Sequence, residues 1–134
     1  MIKSYCKINT FLRVIKKLNN GLHNIQANNM LLELHDTIRI EPILKKKDNI
    51  IFKGQFGKHV NKNKNSIIDT MNVLRKYHLI KEVKKYKIII NKRIPVFAGL
   101  GGGTSNSAFI IKYFLKGRMN NKLFYLFERK IGTD

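Results

Sequence analysis

Two long segments alternate hydrophobic and polar residues with the two-residue period of a β-strand. The first covers residues 5–14 and places Lys7 and Asn9 on the same face. The second covers residues 32–41, and an Asn-Asn-Gly turn at 19–21 lies between the two. The opposite, apolar faces of the two segments carry Cys6, Ile8, Leu12 and Val14, and Leu32, Leu34, Ile38 and Ile40.

Shorter patterns complete the predicted elements. Short strands are expected at 50–52 and within 84–94, where Tyr86, Ile88 and Ile90 share a face. Apolar residues at helical spacing predict a helix that starts at Ser66, with Asp69 completing a capping box. A second helix is expected directly after a run of glycines, ending near 117, and a third over 121–130.

Composition favours a globular domain with an affinity for anions. The chain has 134 residues, of which 43% are hydrophobic, enough for one compact domain. Lys and Arg number 27 against 8 acidic residues, a formal charge of +19. Such a surface attracts nucleic acid, an anionic membrane or a phosphorylated small molecule. The accompanying excess of Asn and Ile equally fits AT-rich coding DNA.

Cysteine content and hydropathy bear on location. Cys6, the single cysteine, forms no internal disulfide, which suits a reducing compartment. The first residues lack the apolar region of a secretory signal, and no stretch approaches the roughly 18 apolar residues of a membrane helix. We therefore expect a soluble cytoplasmic protein with no membrane partner.

The most informative segment is the glycine-rich stretch at 95–106. Four glycines occur within five positions, at 99 and 101–103, and Thr104, Ser105 and Asn106 follow where the helix starts. Glycine allows close backbone approach, and the first N–H groups and the dipole of a helix favour an anion, phosphate above all. The stretch matches neither G-x-x-x-x-G-K-[ST] nor G-x-G-x-x-G, the common nucleotide signatures.

Three spaced motifs and the last four residues resemble the GHMP kinases. The stretch from 95 to 106, Pro-Val-Phe-Ala-Gly-Leu-Gly-Gly-Gly-Thr-Ser-Asn, is similar to that family's phosphate loop. The run at 7–12, Lys-Ile-Asn-Thr-Phe-Leu, resembles its N-terminal strand, and Gly-Leu-His at 21–23 stands where Gly-Tyr-His is usual. The ending at 131–134, Ile-Gly-Thr-Asp, resembles the start of a segment that continues Val-Pro-Phe.

The resemblance implies a fold, an activity and two cofactors. It implies an α+β domain with a mixed or antiparallel sheet under helices, like the second domain of ribosomal protein S5. It implies ATP-dependent phosphorylation, with Mg²⁺, of the 2-hydroxyl of 4-diphosphocytidyl-2-C-methyl-D-erythritol, on the non-mevalonate route to isoprenoid precursors. The twelve loop positions would bind ATP: Pro95, Val96, Phe97, Ala98, Gly99, Leu100, Gly101, Gly102, Gly103, Thr104, Ser105 and Asn106.

The resemblance also assigns roles to four other residues. Asp134 would accept the hydroxyl proton, while Lys7 would keep that carboxyl ionised and polarise the hydroxyl. Asn9 would fix the substrate or the lysine, and His23 would hydrogen-bond the cytosine edge. The resemblance implies no direct protein ligand to the metal. His35, His59 and His78 show no metal-ligand spacing with one another or with Cys6 and are interpreted as structural or solvent-facing.

The family chain continues past the position of Asp134, so residues 1–134 are expected to be a GHMP N-terminal, ATP-binding domain without its C-terminal domain. Such a fragment is expected to be inactive alone. Two other functions stay open. One is a GHMP kinase acting on homoserine or a mevalonate intermediate, and the other is a small basic RNA-binding module whose affinity falls steeply with salt. No nucleic-acid partner is expected under the kinase hypothesis.

Overall fold

Four strands and three helices form the part of the chain that the computed structural model describes, residues 1–132. The elements follow in the order β1 (Ile2–Lys17), β2 (His23–Ile43), β3 (Asn49–Lys53), α1 (Ser66–Lys76), β4 (Lys85–Asn91), α2 (Gly102–Leu115) and α3 (Asn121–Ile131). The sheet order is β1-β2-β4-β3, with β3 parallel to β4 and the other pairs antiparallel. The predicted α+β fold with a mixed sheet is confirmed.

The helices pack against the sheet through one hydrophobic core. Sheet residues Ile38, Ile88 and Ile90 are fully buried, and the three helices cover them. Buried side chains come from α1 at Ile67, Met71 and Leu74, and from α2 and α3 at Ile110, Ile111, Phe114, Leu115 and Phe127. The predicted apolar positions of α1 all lie in the core, whereas the prediction is wrong for Ala108 of α2, which is exposed, and for Phe124 of α3, which is 57% exposed.

The N-terminus of α1 differs from the prediction by one residue. Asn65, not Ser66, is the N-cap, because its extended backbone lets its side-chain oxygen accept from the N–H groups of Ile67 and Ile68, each at 3.1 Å. Ser66 is the first helical residue, and its hydroxyl donates to the carbonyl of Gly103 at 3.3 Å. The beginnings of α1 and α2 are thereby held together.

Most of the β1–β2 hairpin extends beyond the core. Pairing with β4 covers only Thr37–Ile43 of β2, whereas β1 and β2 pair from Ile2 to the turn. The predicted apolar face of β1 is wrong at its far end, since Leu12 and Val14 are 49% and 55% exposed. Register shifts interrupt the alternation of β1 at three places.

The near end of β1 is buried, and Cys6 is fully enclosed. Burial raises the pKa of the Cys6 thiol, the nearby charge of Asp36 adds to the increase, and a backbone hydrogen bond opposes it. No helix within residues 1–132 is long and apolar enough to cross a membrane.

The raised pKa of the Cys6 thiol predicts that the free energy of unfolding depends on pH. Above about pH 8.5 the thiol of the unfolded chain ionises, while the folded thiol keeps its proton to higher pH. The unfolded state then binds fewer protons, so the free energy of unfolding decreases as pH rises. Urea unfolding of the natural chain and Cys6→Ala at pH 7 to 10 should show this extra decrease only in the natural chain. Parallel pH profiles would contradict the assignment.

Candidate functional site

The glycine-rich loop turns the chain sharply from the end of β4 into α2. Positive φ angles occur at Phe97 (61°), Gly99 (71°) and Gly101 (64°), and Gly101 is the N-cap of α2 in the left-handed region. Gly102 is required for a different reason, because a Cβ there would lie 2.9 Å from Cγ2 of Ile94. The glycines thus serve both the bend of the loop and the packing of α2 against the chain that leaves the sheet.

The start of α2 presents backbone donors next to this loop. The first bond of the helical ladder runs from the N–H of Ser105 to the carbonyl of Gly101, at 2.8 Å. The N–H groups of Gly102, Gly103 and Thr104 precede that ladder, so the helix itself supplies them with no acceptor. They lie at the positive end of the α2 dipole, a favourable place for an anion.

A cavity of about 410 Å³ lies against the loop. Eleven of the twelve predicted ATP-binding residues line it, all except Ser105, together with Asn65 and Ser66 from the start of α1. Two helices therefore begin at this cavity. Lys64 and Lys92 also line it, and no acidic side chain does so among residues 1–132. The lining has the charge and the backbone donors that suit a polyphosphate.

Sequence reasoning missed Asn61, Lys64, Asn65 and Lys92 as lining residues. The first three lie in a polar stretch between β3 and α1 that carries no recognisable motif. No spacing in the sequence distinguishes Lys64 or Lys92 from the other lysines.

Ser105 faces β1 instead of the cavity. Its hydroxyl donates to the carbonyl of Tyr5 at 2.7 Å and lies 2.9 Å from the hydroxyl of Ser4. Two residues after Tyr5, the N–H of Lys7 donates to the carbonyl of Leu100, at 3.3 Å. These contacts join β1 directly to the glycine-rich loop and fix the position of Lys7 beside it. A contact between Ser105 and ATP stays a prediction.

A second cleft, of about 600 Å³, lies along the hairpin. Lys7, Asn9 and His23 all line it, together with Leu22 and Glu128 of α3. The structure therefore brings together the three residues predicted to act on the acceptor, although they come from both strands of the hairpin. Asp134, the predicted base, lies outside the described residues.

A buried charge network, which the sequence did not indicate, lies behind the loop. The carboxylate of Asp36 is fully buried and paired with the ammonium of Lys92, which is only 4% exposed. The other Asp36 oxygen accepts from the N–H groups of Arg93, at 2.7 Å, and Ile94, at 2.9 Å. The amide nitrogen of Asn106 donates to the first oxygen, at 2.9 Å.

Only one of the two polar atoms of the Asn106 side-chain amide has a hydrogen-bond partner among the described residues. Its amide nitrogen must face the Asp36 carboxylate, because two oxygens there would repel. Its Oδ1 is then buried without a hydrogen-bond partner in the described part of the chain. Asn106 contributes to the lining of the cavity but is only 1% exposed, so this oxygen is enclosed by protein, where an acceptor without a partner is costly. No group of three potential metal ligands occurs among His, Cys, Asp and Glu of residues 1–132.

The fold and the glycine-rich loop identify the class of protein to which this domain belongs. The family model described as "GHMP kinases N terminal domain" matches residues 65–123, which include α1, β4, the loop, all of α2 and the first residues of α3. This chain carries the N-terminal domain of a GHMP kinase.

Two curated proteins that are similar to this chain carry the name of the same GHMP kinase. A protein of Pelagibacter ubique (strain HTCC1062), named 4-diphosphocytidyl-2-C-methyl-D-erythritol kinase, is 37% identical over 118 residues, which are 88% of this chain and 41% of that protein. The kinase of that name from Ureaplasma parvum serovar 3 is 35% identical over 136 residues, 99% of this chain and 50% of that protein. The chain spans about half the length of these relatives.

A solved structure has the same fold. The crystal structure of a 4-(cytidine 5'-diphospho)-2C-methyl-D-erythritol kinase superimposes with a TM-score of 0.63 at 21% identity, over 98% of this chain and 45% of the other. The chain thus resembles the N-terminal part of these kinases, as the three sequence motifs predicted.

Proposed function

We propose that this chain binds ATP on its glycine-rich loop and contributes to phosphorylation of the 2-hydroxyl of 4-diphosphocytidyl-2-C-methyl-D-erythritol. The observation that carries the proposal is the junction of the two clefts at the hydrogen bond between Lys7 and Leu100. A donor cleft built for polyphosphate and an acceptor cleft with a lysine meet where a phosphoryl group would cross. Phosphoryl transfer demands mainly such positioning and charge stabilisation.

On the donor side, the phosphates would accept from the N–H groups at the start of α2. Lys64 supplies positive charge at the same cavity, where the ammonium of Lys92 is paired with the Asp36 carboxylate. Mg²⁺ bound to the phosphates would neutralise part of their negative charge, with no direct protein ligand required.

On the acceptor side, the substrate 2-hydroxyl would lie near Lys7, with Asn9 and His23 holding the rest of the molecule. The hydroxyl oxygen forms the new bond to the γ-phosphorus while the bond to the β,γ-bridging oxygen breaks, and ADP leaves. The hydroxyl proton passes to Asp134. The Lys7 ammonium stabilises the carboxylate before transfer and the developing negative charge during it.

We further propose that residues 1–134 act as the ATP-binding half of a longer kinase. The relatives are about twice as long as this chain, which supports that arrangement. The reading frame downstream of the Asp134 codon is then expected to encode Val-Pro-Phe-like residues and a second domain.

The first prediction from this proposed function concerns ATP binding. Gly101→Val places a β-branched side chain in a left-handed conformation, which costs about 1–2 kcal/mol, and distorts the loop where the helix N–H groups are presented. We expect the affinity for Mg-ATP, measured by calorimetry, to fall at least tenfold. Gly117→Val is the matched control, since Gly117 has a φ of +83° in open space at the other end of α2. Unchanged ATP affinity in Gly101→Val would exclude this loop as the phosphate site.

A second prediction tests the charge of Lys7. Lys7→Met keeps most of the aliphatic chain and removes the ammonium, so kcat should fall by about 100-fold or more while ATP affinity changes little. Turnover is measured as ADP release by the polypeptide of the complete reading frame. Lys3→Met, an exposed lysine of the same strand, is the control. A kcat within threefold of the natural protein would remove Lys7 from the mechanism.

A third prediction tests Leu22, the position at which Gly-Leu-His at 21–23 departs from the usual Gly-Tyr-His. Leu22 stands where the family usually has an aromatic residue, and it lines the acceptor cleft next to His23. A base stacked on an aromatic ring gains about 1–3 kcal/mol. Leu22→Tyr should therefore lower the KM for the cytidylyl substrate at least fivefold. The control is Val14→Tyr, at an exposed position of the hairpin outside the cleft lining. An unchanged KM in Leu22→Tyr would argue against a cytosine bound there.

A further inference from the structure

We propose that Asp36 is the positioning residue of the glycine-rich loop: its buried carboxylate fixes both ends of the loop at once and thereby sets nucleotide affinity. The inference rests on the proposed function for its nucleotide readout. Its structural content, the fixation of the loop, stands on the contacts alone.

The carboxylate binds both ends of the loop. The N–H groups of Arg93 and Ile94, which donate to one of its oxygens, come immediately before the loop begins at Pro95. Asn106, which donates to the other oxygen, is the last residue of the glycine-rich stretch and lies in the first turns of α2. The chain between these anchors, residues 95–105, carries every positive-φ residue of the turn.

Lys92 connects the same carboxylate to the nucleotide cavity. Its ammonium pairs with Asp36, and its side chain lines the cavity together with Asn106. The pair with Asp36 fixes the ammonium in one place, and the hydrogen bond to Asn106 aims the orphaned Oδ1 away from the carboxylate. Two of the four donors to Asp36 are therefore groups that a bound nucleotide would contact or face. A carboxylate that served the fold alone would not need them there.

Asp48 offers a control with closely similar chemistry in a different place. Its two oxygens accept from Arg75 at 2.8 and 2.7 Å, and one of them also accepts from the N–H of Tyr86, at 2.8 Å. Like Asp36 it is a largely buried carboxylate that binds one basic side chain and the backbone of β4 or its exit. It touches neither the loop nor the residues that line the cavity.

The experiment compares Asp36→Asn with Asp48→Asn at a temperature where both are more than 95% folded by circular dichroism. Calorimetry measures Mg-ATP affinity, and hydrogen exchange with mass spectrometry measures protection of the amides of residues 95–104. We expect Asp36→Asn to weaken ATP binding at least tenfold and to speed exchange in that segment. Asp48→Asn should leave affinity within twofold and leave that segment unchanged, whatever it does to the melting temperature.

Removing one charge of a buried pair can unfold a protein, so a second variant is included. Asp36→Asn with Lys92→Met removes both charges and keeps an amide at position 36. The double variant should regain the fold and recover part of the protection at 95–104, because the amide oxygen at position 36 can still accept from Arg93 and Ile94. A third variant, Asp36→Leu with Lys92→Met, has no acceptor at position 36 and should keep fast exchange there. Natural protection of the loop in a folded Asp36 variant, single or double, would overturn the proposal.

The two readouts separate this inference from the kinase proposal. If the natural chain binds no ATP, the proposed function fails, and exchange at 95–104 alone decides the role of Asp36. If ATP binds with natural affinity to Asp36→Asn, the positioning role is wrong while the nucleotide site stands. If both aspartate variants lose affinity equally, the effect reflects general loss of stability, and the proposal is equally overturned.

Discussion

A fully buried carboxylate determines how the parts of this domain meet. Moving an isolated carboxylate out of water costs several kcal/mol, and that cost is met only when the charge is paired and its lone pairs are occupied. Asp36 satisfies this with an ammonium, an amide and two backbone N–H groups. Because those donors lie on the exit of β4 and on α2, the carboxylate can be buried only if strand, loop and helix are assembled together.

The remaining contacts of the site extend from that assembly. With α2 fixed, Ser105 reaches the backbone of β1, and Leu100 receives the N–H of Lys7. With the start of α2 fixed, Ser66 reaches Gly103, so α1 also begins at the cavity. The hydrogen bonds involved are individually modest, about 1 kcal/mol each. Their value lies in placing a lysine, two helix N-termini and a bent loop in one region.

The sequence predicts the elements well because their signals are local. Alternation indicated β1, β2 and β4, apolar spacing indicated three helices, and the glycine run indicated an anion loop. Asp36 escaped notice because its partners lie 56 to 70 residues away, and because an aspartate in an alternating strand gives no sign of what will enclose it. The cap of α1 was misplaced since Asn65 and Ser66 are both good capping residues, and only backbone conformation distinguishes them.

The parts of the fold that form the two clefts differ in stability. The donor cavity is built on the core, where the exit of β4, the start of α2 and the Asp36 network hold it. The acceptor cleft lies mainly on the part of the hairpin where β1 and β2 pair only with each other, with Glu128 of α3 beside it, and a two-stranded ribbon by itself is marginally stable in water. Lys7 lies at the boundary, tied to Leu100 on one side and open to the ribbon cleft on the other. The core therefore preorganises the donor cavity. The acceptor cleft is ordered by the groups that pack on the ribbon or bind in the cleft.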